Sequence, residues 1–139
     1  MNSLEEGRQL QLDFSKIGKV AEGCPGVVPV AVQHADSGEV VLLAYTNEEA
    51  FRKCLASRRL ILWSTSRNEL WEKGATSGET FELVEARVNC EQNSLLYRVR
   101  PTGRASGGIC HTRNRTGRPR NCFYRRLDFE TLELENTDP

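Results

Sequence analysis

The stretch FELVEARVNCEQNSLLYRVR, residues 81–100, decides the fold because its pattern predicts a β-hairpin. Apolar residues alternate with charged ones along 81–90 and again along 94–100, which is typical of half-buried strands. The turn falls between these arms. If the backbone stays extended into the turn, Asn89, Glu91 and Asn93 share one face and Cys90 takes the other. Asn93 followed by Ser94 is also ordinary turn chemistry.

The remaining segments predict a strand-rich α+β fold. Further strands are expected at 27–32, 39–45 and 60–64, with a last strand or short helix at 121–129. Residues 46–59 predict a helix, because Thr46 and Glu49 have capping-box spacing and an apolar stripe follows. Cys54 belongs to that stripe, so we expect it in the core. Residues 65–80 are rich in Gly, Ser, Thr and Asn and predict a loop.

The length of 139 residues allows one domain with a modest core. We divide the chain into a polar N-terminal segment, 1–24, a folded domain, 25–129, and an acidic tail, 130–139. No apolar run is long enough to cross a bilayer, and the N-terminus lacks a signal-peptide pattern. We therefore expect a cytoplasmic protein without membrane contact. In that compartment the five cysteines favour metal binding or catalysis over disulfides.

Charge is unevenly distributed although the formal net charge is zero. Residues 87–126 contain ten arginines and one acid, whereas residues 127–139 contain five acids and no base. This basic block favours an anionic ligand. A solvated surface neutralised by the acidic tail is the alternative. The aromatic residues are not interleaved with the arginines as in single-strand binding surfaces, so we do not expect nucleic-acid binding.

Three cysteines in the C-terminal half are candidate zinc ligands: Cys90, Cys110 and Cys122. Each lies at a predicted strand end or in a Gly-rich or Arg-rich loop, where nearby arginines favour the thiolate. Three protein ligands would leave the fourth tetrahedral position open, as in catalytic zinc sites. Their spacing alone favours ordinary buried or loop cysteines over zinc ligands. His111 follows Cys110 and points the other way in extended backbone, so it is a candidate acid or base or a surface imidazole.

The loop SRNELWEKGATSG, residues 66–78, is a candidate anion-binding element. Cationic side chains, hydroxyl groups and accessible backbone amides suit phosphate. A tryptophan in the loop offers a stacking surface for a base, although packing in the core is the alternative. The candidate substrate-binding residues are Arg67, Trp71, Lys73, Thr76, Ser77 and Gly78.

Four stretches, taken together and in order, resemble the phosphoribosyl-AMP cyclohydrolase family. They are VPVAVQHADSGEVVLLAYTNEEA at 28–50, WSTSRNELWEKGATSG at 63–78, the Cys90 hairpin, and ICHT at 109–112 with NCFYR at 121–125. The resemblance implies hydrolysis of the N1–C6 bond in the adenine ring of phosphoribosyl-AMP, a small-molecule nucleotide, in histidine biosynthesis. It implies an intertwined homodimer in which Cys90 of one subunit and Cys110 and Cys122 of the other hold Zn²⁺. His111 would then move a proton, and the loop 66–78 with the basic segment would hold the phosphates.

The resemblance also implies a Mg²⁺ site at the hairpin turn, where this chain departs from the family. Asn89, Glu91 and Asn93 stand where the family has three aspartates, so the formal charge falls from −3 to −1. Mg²⁺ binds mainly through carboxylates and phosphates, so we expect its affinity to be much reduced or absent unless substrate phosphate supplies charge. Three other positions also differ from the family. His34 replaces an aspartate, Thr65 replaces an arginine and Ala75 replaces a glutamate.

These departures leave two alternatives to ring opening of phosphoribosyl-AMP. The first is a divergent paralogue that keeps zinc-dependent hydrolysis but acts on another purine nucleotide or a related heterocycle. The second is a non-enzymatic zinc module whose arginine block binds nucleic acid with an affinity that falls as the salt concentration rises.

Overall fold

A curled six-stranded sheet organises the chain, whose computed structural model describes residues 2–74, 78–102 and 108–139. The strands of this sheet are β1 Val28–His34, β2 Val40–Thr46, β3 Ile61–Ser64, β4 Glu69–Glu72, β5 Phe81–Val88 and β6 Leu95–Pro101. The helices are α1 Ser3–Glu6, α2 Lys16–Gly23 and α3 Glu48–Ser57. A two-stranded ribbon follows, made of β7 Arg125–Leu127 and β8 Leu134–Asn136. The α+β, strand-rich, single-domain prediction is confirmed.

The order of the strands in the sheet is β4-β3-β2-β1-β6-β5. All neighbours are antiparallel except β1 and β6, which run parallel with Val30 opposite Leu95. The two ends of the sheet also approach each other. Leu60, directly before β3, donates its backbone N–H to the carbonyl of Phe81 in β5 over 2.9 Å. The edge strand β5 is thereby partly covered, which limits its pairing with other chains.

The core lies inside this curled sheet and beneath α3. Alternation along β5 and β6 buries Phe81, Leu83, Tyr97 and Val99 while their neighbours face outward. Each such side chain contributes about 1.5–3 kcal/mol by leaving water. Cys54 of α3 is fully buried in the same cluster, which confirms its predicted core role. Burial raises the pKa of its thiol, as expected of an unreactive cysteine.

The helix predicted over 46–59 is present as α3, but its predicted N-cap is wrong. The capping residue is Asn47, whose Oδ1 accepts from Ala50 N over 3.0 Å. Thr46 instead ends β2, where it is 1% exposed. The capping-box spacing was misleading because the strand continues through Thr46, and the extended Asn47 takes over the cap.

Two short elements lie where the sequence predicted none. β4 occupies 69–72 inside the predicted loop 65–80, and its Trp71 pairs with Leu62 of β3. β8 lies within the predicted acidic tail, where Leu134 pairs with Leu127. Strands of four and three residues are too short for alternation to distinguish them from loop. Within the described ranges, no helix is long and apolar enough to span a membrane.

Candidate active site

Cys110 and Cys122 are brought together by two backbone segments that run side by side. Cys110 N donates to Arg120 O over 2.8 Å, and Cys122 N donates to Val41 O over 3.1 Å at the start of β2. The segments approach closely at Gly108, where an added Cβ would lie 2.3 Å from the carbonyl carbon of Pro119. Glycine is therefore required beside the cysteine pair.

The two thiols are close enough to change each other's acidity. The interaction with Cys122 is the main reason that the pKa of Cys110 falls from 9.0 to about 5. Thr112 assists, with Oγ1 at 3.1 Å and its backbone N at 3.5 Å from Cys110 Sγ. The interaction with Cys110 raises the pKa of Cys122. Cys110 is therefore the more acidic thiol of the pair.

Lys73 connects the predicted substrate loop to this pair. Its positive charge lowers the pKa of Cys122, against the larger effect of Cys110, so the ammonium lies near the sulfurs. Its backbone N donates to Leu60 O over 3.1 Å, which fixes the end of β4 to the start of β3. The structure thus places one cation of loop 66–78 within electrostatic range of Cys122.

The other predicted loop residues have varied surroundings. Arg67 lies in the β3–β4 turn, with its guanidinium 3.6 Å from Glu69. Trp71 is half-buried and packs against the hydrophobic core, which favours the core role over base stacking. Gly78 has a positive φ of 78° and donates to Gly74 O over 2.9 Å. The remaining two candidates, Thr76 and Ser77, lie outside the described residues.

Cys90 is exposed at the tip of the β5–β6 hairpin. That tip lies beyond Val88, whereas Lys73 and the cysteine pair lie near the Phe81 end of β5. An eight-residue strand is about 25 Å long, so one chain does not bring Cys90 to the pair. Accordingly, over 2–74, 78–102 and 108–139, no three His, Cys, Asp or Glu side chains are grouped to hold a metal ion.

The cysteine pair itself suits zinc. It presents two sulfur donors, one of them with a lowered pKa, in a half-buried position. Thiolates are preferred ligands of Zn²⁺, and a third ligand would complete a catalytic site with one open position. The donor set in one chain is therefore compatible with a zinc site that needs a ligand from elsewhere.

His111 lies next to the pair in the chain and is 79% exposed. Its Nε2 is 3.1 Å from Oε1 of Glu5 in α1. The protonated imidazole lowers the pKa of Cys110, so ring and sulfur are close enough to interact electrostatically. This placement is suited to proton transfer at the edge of the sulfur pair rather than to a fourth ligand.

The face alternation predicted for the hairpin tip is wrong, because β5 ends at Val88 and residues 89–94 form a turn. Asn89 Oδ1 accepts from the backbone N atoms of Asn93 and Ser94, both at 2.9 Å. Asn89 Nδ2 donates to Asn93 Oδ1 over 2.7 Å, and Asn93 Nδ2 donates to Glu91 Oε2 over 3.2 Å. The three side chains do meet, but by bonding one another.

This turn does not fit magnesium. Its amide oxygens and one Glu91 oxygen already accept hydrogen bonds within the turn. The Asn89 and Asn93 amides also bring N–H donors into the cluster, which repel a cation. Only one carboxylate is present, whereas Mg²⁺ needs a dense shell of hard oxygen ligands.

The arginine block is largely neutralised rather than free. In the part of the chain that the structure describes, seven of its arginines contact acidic side chains or backbone carbonyls. They are Arg87, Arg98, Arg100, Arg113, Arg120, Arg125 and Arg126. Among these seven described arginines, only Arg126 pairs with an acidic side chain of the predicted tail, Glu135, at 2.8 Å. The basic block is thus mostly a structural network, which argues against a nucleic-acid surface.

Sequence reasoning missed three contributors to the site: Glu5, Thr112 and Arg120. Arg120 is 2% exposed and donates to Thr112 Oγ1 over 3.0 Å, behind Cys110. Glu5 is 106 positions from His111, and no local pattern connects residues so far apart. Thr112 was detectable, because a hydroxyl two residues after a cysteine can reach its sulfur.

Comparison with known proteins supports the resemblance. Residues 42–124 match the family model described as phosphoribosyl-AMP cyclohydrolase. The phosphoribosyl-AMP cyclohydrolase of Halobacterium salinarum is 42% identical over 94% of this chain and 93% of its own length. That of Caulobacter vibrioides is 45% identical over 77% and 72%. The histidine biosynthesis bifunctional protein of Thermus thermophilus is 48% identical over 73% of this chain and 44% of its own length. The chain belongs to the phosphoribosyl-AMP cyclohydrolase family of hydrolases.

Proposed function

We propose that this chain hydrolyses the N1–C6 bond in the adenine ring of phosphoribosyl-AMP, in a zinc-dependent step of histidine biosynthesis. The observation that carries the proposal is the Cys110–Cys122 pair, in which the pKa of Cys110 is lowered and the charge of Lys73 acts on Cys122. Family membership supplies the substrate class, and the sulfur pair supplies the reason to expect zinc.

The zinc ligands are Cys110, Cys122 and Cys90 of the partner subunit. The exposure of Cys90 at a hairpin tip supports this sharing, since an exposed tip is free to reach a second chain. When bound, Zn²⁺ would supply Lewis acidity and lower the pKa of a water ligand to about 7. The active form is therefore an intertwined homodimer with two shared sites.

His111 transfers the proton that ring opening requires. Attack of water at C6 releases one proton, and cleavage of the C6–N1 bond leaves a nitrogen that must gain one. A single imidazole at the edge of the sulfur pair can accept the proton released by water and then donate it to N1. The exposure of the ring, 79%, keeps it accessible to a substrate held outside the sulfurs.

Lys73 and its loop hold the substrate phosphates. An ammonium suits a phosphate as a point charge, and Lys73 supplies one directly after β4. Arg67, Thr76 and Ser77 would add donors from the same loop. Trp71 contributes by supporting the loop from the core.

The two alternatives are less well supported. Relatives at 42–48% identity are named for phosphoribosyl-AMP cyclohydrolase or histidine biosynthesis, which does not favour another nucleotide. A nucleic-acid module would need free arginines, and most of the described ones are paired.

The direct test is turnover of phosphoribosyl-AMP by zinc-loaded protein, measured with and without Mg²⁺. The change in ultraviolet absorbance on ring opening reports the rate. Wild-type protein should open the ring, and Cys110→Ser should be inactive and zinc-free. Restored growth of a histidine auxotroph that lacks this enzyme would agree. Activity on a different purine nucleotide, with none on phosphoribosyl-AMP, would refute the proposal.

A further inference from the structure

The N-terminal helix α1 is held firmly against the loop that carries the cysteine pair. Tyr124 OH donates to the carbonyl of Glu5 over 2.7 Å. Arg125 donates to the carbonyls of Leu4 and Gly7 over 2.8 and 3.0 Å. This helix is too short to be stable alone, so these contacts fix its position.

The adjacent acid, Glu6, binds the arginine that supports Cys110. Arg120 pairs with the Glu6 carboxylate, and its guanidinium lies 3.6 Å from the centre of the Tyr124 ring. The Arg120 side chain is 1% exposed. The same guanidinium donates to Thr112, whose hydroxyl contacts the Cys110 sulfur. The helix is thus connected to the sulfur pair by a continuous chain of contacts.

Glu5 is presented to His111 by this fixed helix, with 3.1 Å between Oε1 and Nε2. We propose that Glu5 is a positioning residue for His111, a role that rests on the proposed function. A carboxylate only accepts hydrogen bonds, so Nε2 carries the hydrogen in this contact. The neutral ring is then the Nε2–H tautomer, and Nδ1 is the nitrogen that accepts the proton during ring opening.

This assignment gives α1 a part in the reaction. It lies outside residues 42–124, which match the family model. It also predicts that the effect of Glu5 is transmitted through His111 alone. Glu6 has a different role, because its partner is a buried arginine rather than the imidazole.

Nuclear magnetic resonance tests the contact independently of activity. The chain has two histidines, so the variant His34→Gln assigns both imidazole signals. In the wild type, long-range proton–nitrogen correlations should show His111 as the Nε2–H tautomer. Glu5→Ala should shift the imidazole signals of His111 and leave those of His34 unchanged. A His111 ring protonated on Nδ1, or unchanged by Glu5→Ala, would overturn the proposal.

A double-mutant cycle tests the role in the reaction. Glu5→Ala should lower kcat about tenfold, with KM within about twofold and unchanged zinc content. Glu5→Gln, which keeps an acceptor oxygen, should recover part of the rate. In a His111→Ala background, Glu5→Ala should have no further effect, because the pair acts as a unit. The matched control Glu22→Ala, in the exposed part of α2, should behave as the wild type.

The possible failures are distinguishable. A large loss in His111→Ala with an unchanged rate in Glu5→Ala would overturn only the role of Glu5. Equal effects of Glu5→Ala in both backgrounds would show a structural role instead. A wild-type chain that does not open the ring would overturn the proposed function, and the role of Glu5 with it.

Discussion

At the residue scale, the defining feature is the approach of two cysteine thiols. The pKa of Cys110 lies well below that of a free thiol, mainly because of Cys122. A buried charge is costly unless it is paired, and here the partners are a thiol, Thr112 and nearby cations. The fold thus holds two soft sulfur donors together before a divalent metal binds.

The lowered pKa of Cys110 makes the stability of the metal-free chain depend on pH. The folded pKa of Cys110 is about 5 and its ordinary value is 9.0, so between these values the unfolded chain binds more protons. The free energy of unfolding should therefore rise with pH from about 5 to about 9 and be lost as pH falls. Urea unfolding of metal-free wild type and Cys110→Ser at several pH values measures this. Identical slopes in the two proteins would contradict the assignment.

His111→Ala should retain zinc but turn over about 10²–10⁴-fold more slowly, because it removes a general acid and base without removing a ligand. Steady-state kinetics with zinc analysis checks this. The half-buried His34→Ala is the control and should leave the rate unchanged. A His111→Ala protein with nearly normal turnover would mean that another group moves the proton.

The hairpin turn should bind Mg²⁺ weakly, because hydrogen bonds among Asn89, Glu91 and Asn93 occupy its oxygens. The triple change Asn89→Asp, Glu91→Asp and Asn93→Asp replaces amides by carboxylates and should raise Mg²⁺ affinity at least about tenfold. Calorimetric titration with Mg²⁺, and with Mn²⁺ as a paramagnetic probe, measures both proteins. Tight Mg²⁺ binding at the wild-type turn would contradict this interpretation.

At the element scale, the site depends on how closely two loop segments approach each other. Gly108 packs against the backbone of Pro119, and the segments lead directly to the cysteines. Neither segment belongs to the large sheet, so their positions depend on the contacts between them, with the chain termini and with the start of β2.

Gly108→Ala should force these segments apart, because its Cβ would meet backbone rather than a movable side chain. We expect a loss of about 1–3 kcal/mol in stability and a lower zinc content. Urea unfolding and metal analysis measure the two effects. Gly18→Ala, where nothing lies within 4 Å of the added Cβ, is the control. Normal zinc binding in Gly108→Ala would show that the approach is not essential.

The sequence predicted elements with long local patterns and missed those set by distant contacts. The β5–β6 hairpin and α3 were predictable because their apolar periodicity extends over many residues. β4 and β8 were not, since each has four residues or fewer. The pairing of Cys110 with Cys122 did not follow from spacing, because it depends on the approach at Gly108. Glu5 could not be connected to His111, because only the folded chain brings them together.

At the scale of the whole molecule, the two halves of the proposed zinc site lie at opposite ends of one chain's sheet. The cysteine pair lies near the Phe81 end of β5, and Cys90 lies past the Val88 end. A symmetric dimer can bring one tip to the other subunit's pair, and by symmetry it creates two such sites. Sharing of ligands between subunits is therefore the central claim.

Subunit complementation tests this claim most directly. Cys90→Ser and Cys110→Ser homodimers should both lack zinc and activity. Unfolding and refolding them together in equal amounts produces hybrid dimers, in which one site keeps all three cysteines. Because half of the dimers are hybrids with one of two sites intact, the mixture should regain about a quarter of wild-type zinc and turnover. A mixture that stays as inactive and zinc-free as its parents would contradict a site shared between subunits.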